Sequence, residues 1–96
     1  MDGKKFDMGK TRYDLIHWPH VKGIADVLQF GANKYGENNW KQLENATNRY
    51  FAAALRHLVA WIQGEKIDSE SGLSHLSHAA CNLMFLSFFE ESVHED

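Results

Sequence analysis

The stretch RYFAAALRHLVAWIQG (residues 49–64) sets Phe51, Leu55, Leu58 and Ile62 at steps of four, three and four. At 3.6 residues per turn these positions share one side of an α-helix, whereas a strand would need apolar and polar residues to alternate. Gly64 supplies the stop, because glycine adopts the left-handed conformation that commonly ends helices. Thr47 or Asn48 supplies the starting cap.

The segments on either side speak the same language. Downstream, the spacing predicts a helix from about Ser71 to Glu91, with Leu73, Leu76, Ala80, Leu83 and Leu86 in one core stripe, widened by Phe85, Phe88 and Phe89. The run NLMFLSFF is apolar nearly all round. Upstream, Val21, Ile24, Ala25, Leu28 and Ala32 predict a helix over roughly His20 to Lys34, preceded by Pro19 and ended by Gly36. Between the first two helices KYGENNWKQLENATN carries four asparagines and no apolar period until Leu43, so it reads as a connection. Residues 1–19 form an arm that can fold over a partner. The fold class is all-α: one domain over residues 1–96, a short bundle of three to four helices. Its apolar faces exceed what one such chain can cover, so homo-oligomerisation should complete the bundle.

Composition narrows the classes further. Ninety-six residues at 44% hydrophobic allow one modest core. Thirteen acidic residues against ten basic give a formal charge of -3, with no electrostatic footprint for duplex nucleic acid. A single cysteine, Cys81, excludes an internal disulfide and fits a reducing cytoplasm, where it reads as a small buried hydrophobe. No apolar run approaches the roughly 20 residues of a membrane span, and no signal peptide is evident.

Chemistry concentrates in GEKIDSESGLSHLSHAACN (residues 64–82), which holds three carboxylates, two histidines and an asparagine. Glu65 and Asp68 form an E-x-x-D pair that, on a helical turn, would point both carboxylates one way, with Glu70 close behind. His75, His78 and Asn82, spaced by three and four, share a helix face that differs from the leucine stripe. On the preceding helix Arg49 and Arg56 lie in one row with His57 beside them. Carboxylates near arginines describe a site where Mg²⁺ or Mn²⁺ holds a polyphosphate, the arginines forking onto phosphate oxygens. The histidines can ligate a softer metal, donate to phosphate, or carry protons. Asp68, Ser69, Glu70 and Ser71 serve equally as caps and dipole partners of the following helix. There is no H-E-x-x-H, no cysteine pair, no G-x-S-x-G, no Walker A loop and no adjacent His-Asp pair in mid-chain.

The order KTRYDLI, FGANKYGENNW and RHLVAWIQGEKIDSESGLSHLSHAACNLMFL, from about Lys10 to Leu86, resembles the phage family of dATP/dGTP diphosphohydrolases (N-terminal domain type). That family is in turn similar to the all-α MazG-like NTP pyrophosphohydrolases, helical oligomers that hold Mg²⁺ on clustered acids and cut between the α and β phosphates. The resemblance implies a purine nucleotide as partner, a metal on Glu65, Asp68 and Glu70, and catalysis by Glu65, Asp68 and His78. It also implies substrate binding by Lys34, Tyr35, Asn38, Asn39, Trp40, Arg49, Arg56, His57, His75 and Asn82. The ring of Tyr35 or Trp40 would stack on the base and the asparagines would read its edge; packing under the loop accounts for both aromatics equally well. The setting implied is the cytoplasm of a phage-infected bacterium.

One departure stands against it. MazG-like enzymes carry an E-x-x-E pair on the helix before E-x-x-D, and YFAAALRHLVAW has none. Either histidines have rebuilt the metal set, or the domain binds a nucleotide or nucleotide-derived signal without hydrolysing it.

Overall fold

The structure, a computed structural model, describes residues 3–93. It contains three α-helices: α1 (Trp18–Tyr35), α2 (Ala46–Ile62) and α3 (His75–Val93). Short 3-10 turns stand at Tyr13–Leu15 and Asn39–Gln42. Among the described residues there is no strand beyond an isolated antiparallel bridge between Ile67 and Ser74. None of these helices is long and apolar enough to cross a membrane.

The helices begin and end a few residues from where the sequence pattern puts them, for local reasons. Pro19 sits in the first turn of α1, where its missing N–H costs nothing, so that helix starts at Trp18. Gly36, at φ +100°, closes it by donating its N–H to the Ala32 carbonyl. Neither Thr47 nor Asn48 caps α2. Asn45 in the left-handed conformation precedes it, and Asn48 Nδ2 donates back to Asn45 Oδ1 at 3.0 Å. Gly64 ends α2 as expected: its N–H reaches the Trp61 carbonyl while the Glu65 N–H reaches Ala60, the paired bonds of a Schellman turn. The third helix starts at His75, four residues later than expected, because residues 65–74 make a tight loop instead. Asp68 N–H bonds the Leu73 carbonyl at 2.8 Å and His75 N–H bonds Lys66 at 3.0 Å. Ser74, whose Oγ accepts the Leu76 N–H at 3.1 Å, is the cap, so Asp68 to Ser71 are left to other uses.

α3 is the central element. It packs along α2 over most of its length and against α1 on another side. At the α1 contact Gly23 lets the helices approach, since a Cβ there would lie 2.6 Å from Ser77 Oγ. Cys81 is buried and donates its S–H to the Ile24 carbonyl at 3.3 Å; burial pushes its thiol up to about 11. The face of α1 turned to α3 is thus set by Gly23, Ile24 and Val27. Ala25, expected on that face, is exposed.

The expected core stripe of α2 turns outward, and that of α3 does so in part, with Leu73, Ala80 and Leu86 half-buried. Phe51, Leu55, Leu58 and Ile62 are exposed on α2, as are Leu76 and Leu83 on α3. The rows one residue earlier take the interior: Tyr50, Ala54 and His57 on α2, and His75, Ala79 and Asn82 on α3. One residue is a rotation of about 100°. Histidine and asparagine can occupy that inner row because they find partners there: His57 and His75 meet through their Nδ1 atoms and Asn82 donates to the His78 carbonyl.

Candidate functional site

Because α1 and α2 flank α3 with little contact of their own, they leave a cleft of about 780 Å³ between them. A volume of that order suits a ligand of nucleotide size. Its rim is pinned by aromatic packing. Trp40 stacks on Phe85 with ring centroids 4.4 Å apart and meets Phe88 edge-on, while the Tyr50 hydroxyl donates to the Trp40 carbonyl at 2.9 Å.

The site residues named from sequence gather unevenly. Lys34, Tyr35, Asn38, Asn39, Trp40, Arg49, Arg56, His57, Asp68, Glu70, His78 and Asn82 all line the cleft. Glu65 and His75 do not. Trp40 is engaged with Phe85, whereas Tyr35 is exposed at the mouth with the Lys34 ammonium 5.1 Å from its ring centre. Asn38 is held in the left-handed conformation, which asparagine tolerates. Asn82 is buried and spends its amide on the His78 carbonyl at 2.9 Å, within its own helix.

The three carboxylates expected as a metal set have three different partners. The E-x-x-D pair is not on a helical turn, because α2 stops at Ile62. Glu70 is ion-paired with Lys34 across the cleft. Glu65 is over half exposed, with Oε1 3.5 Å from His75 Nε2. Asp68 alone of the three is drawn in: its Oδ2 accepts from the Ser71 N–H at 2.9 Å and the Ser71 hydroxyl at 3.0 Å. Magnesium asks for several hard oxygens in near-octahedral array. The carboxylates so distributed do not fit that requirement.

A polar cluster the sequence only half disclosed stands in their place. His57 and His75 face each other with Nδ1 atoms 2.8 Å apart, and His57 stacks on His78 at 4.5 Å with the rings 8° from parallel. Ser71 Oγ lies 2.7 Å from His78 Nε2. An ionised carboxylate only accepts. Ser71 therefore donates to Asp68, and His78 donates its Nε2–H to Ser71, which fixes the tautomer by the network. Burial pushes the Asp68 carboxyl up, but the two Ser71 donors outweigh it, and the group stays below its ordinary value. Burial, then the neighbouring imidazoles, holds His57 below the usual histidine range; burial does the same to His78, against the pull of Asp68. Ser71 is the member that sequence reading missed. Its signal was the D-x-x-S spacing, which lets an aspartate turn back onto a backbone N–H three residues on.

The fold and cleft define a class: small α-helical domains with a groove lined by both basic and acidic side chains beside a half-buried His/Asp cluster. The chain belongs to the family of dATP/dGTP diphosphohydrolase N-terminal domains, whose family model matches residues 1–96. It is 40% identical over 86 residues to a dATP/dGTP diphosphohydrolase of Salmonella phage PMBT28, an overlap covering 90% of this chain. The chain spans 29% of that relative's length. No solved structure matches it.

Proposed function

We propose that this chain supplies the nucleotide cleft of a diphosphohydrolase that converts dATP or dGTP to the monophosphate and pyrophosphate, in the presence of a divalent ion. The observation that carries the reading is the convergence of Lys34, Arg49 and Arg56 on one cleft with Asp68 and His78. Arg49 and Arg56 offset part of a triphosphate's charge, joined by Lys34 once it leaves Glu70, and guanidinium forks match phosphate oxygens. Tyr35 offers the exposed ring against which a base can lie. The line Asp68–Ser71–His78 can accept a proton from an attacking water, since Asp68 stays ionised and His78 neutral near pH 7. Its three members span two short hydrogen-bonded steps.

The test is to incubate the chain with each dNTP and NTP, with and without Mg²⁺ or Mn²⁺, and to separate products by ion exchange. Monophosphate with pyrophosphate from dATP and dGTP is the expected result. Failure both to convert and to retain any nucleotide would sink the proposal.

A second reading is that the domain sequesters a nucleotide or nucleotide-derived signal and returns it intact. Two observations favour it: the pairing of Glu70 with Lys34 removes one acid from service, and most of the relative's length lies outside the match. Nucleotide retained in EDTA and recovered unchanged on heating would select this reading over hydrolysis.

A further inference from the structure

We propose that His57, His75 and Asp68 form a binding site for a divalent transition metal of the Zn²⁺ or Co²⁺ kind, where α2, α3 and the 63–74 loop meet. Each residue offers one donor atom, and the three atoms lie within 4.8 Å of one another. Two imidazole nitrogens and one carboxylate oxygen suit a borderline metal rather than magnesium, and three protein ligands leave a coordination position for another oxygen.

Three further features fit. The facing Nδ1 atoms of His57 and His75 are 2.8 Å apart. In a tetrahedral site two nitrogens each about 2.1 Å from the ion lie about 3.4 Å apart, so the two rings need to part by only about 0.6 Å to seat it. Asp68 commits Oδ2 to Ser71, and among the described residues its Oδ1 takes no hydrogen bond. His75 is 5% exposed, and its Nε2 is buried without a hydrogen-bond partner, the nearest acceptor being Glu65 Oε1 at 3.5 Å. A metal on Nδ1 puts the ring proton on Nε2, facing that carboxylate. This is the usual outer arrangement of a metal-bound histidine. With its proton on Nδ1 instead, His75 would set a bare lone pair against the carboxylate. Glu65 is therefore a positioning residue for His75 and not a ligand.

The experiment uses metal alone, so its outcome is separate from the nucleotide reading. The EDTA-stripped chain is titrated with Zn²⁺ and with Mg²⁺ by calorimetry, and with Co²⁺ by visible absorption. One Zn²⁺ per chain is expected, with Co²⁺ ligand-field bands and much weaker Mg²⁺ binding. His57→Gln and Asp68→Asn should each weaken Zn²⁺ binding by about tenfold or more, and Glu65→Gln by about tenfold. His20→Ala, which removes one ring of the exposed His17–His20 pair, should leave it unchanged. Zn²⁺ binding that survives His57→Gln and disappears with His20→Ala would overturn the proposal, as would no stoichiometric binding. Should the site variants lose helicity, NMR of the wild-type chain with Co²⁺ decides. Selective shifts of His57 and His75 ring signals support the site; shifts confined to His17 and His20 overturn it.

Discussion

The Lys34–Glu70 ion pair spans the cleft between α1 and the 63–74 loop, and both side chains are substantially exposed. Exposed pairs contribute little to stability, so this one matters for ligand more than for folding. With Glu70 attached, Lys34 is not free to meet a phosphate. Glu70→Gln should leave the melting temperature almost unchanged and tighten dATP or dGTP binding severalfold, as read by calorimetry. If Glu70 instead holds a metal for the triphosphate, as the resemblance implies, the same change weakens binding. The sign separates the two roles. Glu70 could be named from sequence because acids cluster there; its partner 36 positions away could not, because that contact depends on how α1 crosses α3.

At the scale of elements, the α1–α3 contact turns on Gly23 opposite Ser77. Glycine inside a helix ordinarily costs about 0.5–1 kcal/mol relative to alanine, so its presence there needs a packing reason. A Cβ at position 23 would sit 2.6 Å from Ser77 Oγ but 3.6 Å from Ser77 Cβ. Gly23→Ala alone should therefore lower the melting temperature, because the hydroxyl must rotate away or α1 withdraw. In a Ser77→Ala background the clash is gone, and Gly23→Ala should stabilise the protein by about 0.5–1 kcal/mol. Equal effects of Gly23→Ala in both backgrounds would show that the two residues are not in contact. The helices themselves were plain in the sequence because a 3.6-residue period is local. The late start of α3 was not, because residues 65–74 satisfy their backbone groups across a loop that only a folded α2–α3 hairpin can close.

The whole molecule exposes more surface than a self-sufficient domain of its mass. Its accessible area is 7791 Å², against about 5,600 Å² for a compact monomer of this size. Its radius of gyration is 16.9 Å, where about 12.5 Å is usual. The outward row Phe51, Leu55, Leu58 and Ile62 supplies a continuous apolar face on α2, and Leu76 and Leu83 a second on α3. We expect the isolated chain to associate with itself through these faces. Light scattering after gel filtration should give at least twice the 11.0 kDa of one chain. Phe51→Glu together with Ile62→Glu should return it to monomer without loss of helicity. A wild-type chain that runs as a monomer at tens of micromolar would refute the expectation.

Sequence alone determined that this protein is all-α, where its three helices run to within a few residues, and which polar side chains are candidates for chemistry. Each of those depends on neighbours within a turn or two, on residue type at fixed spacing, or on composition. Which face of each helix turns inward was decided only by tertiary structure. The periodicity of α2 and α3 is satisfied equally by burying the leucine row against another copy or against the same chain. The structure settles this by seating the polar row inside, where His57, His75 and His78 meet across two helices. The same crossing gives Glu65, Asp68 and Glu70, neighbours in sequence, three unrelated environments. A loop of ten residues can turn side chains in any direction, and only the surfaces it closes against select one.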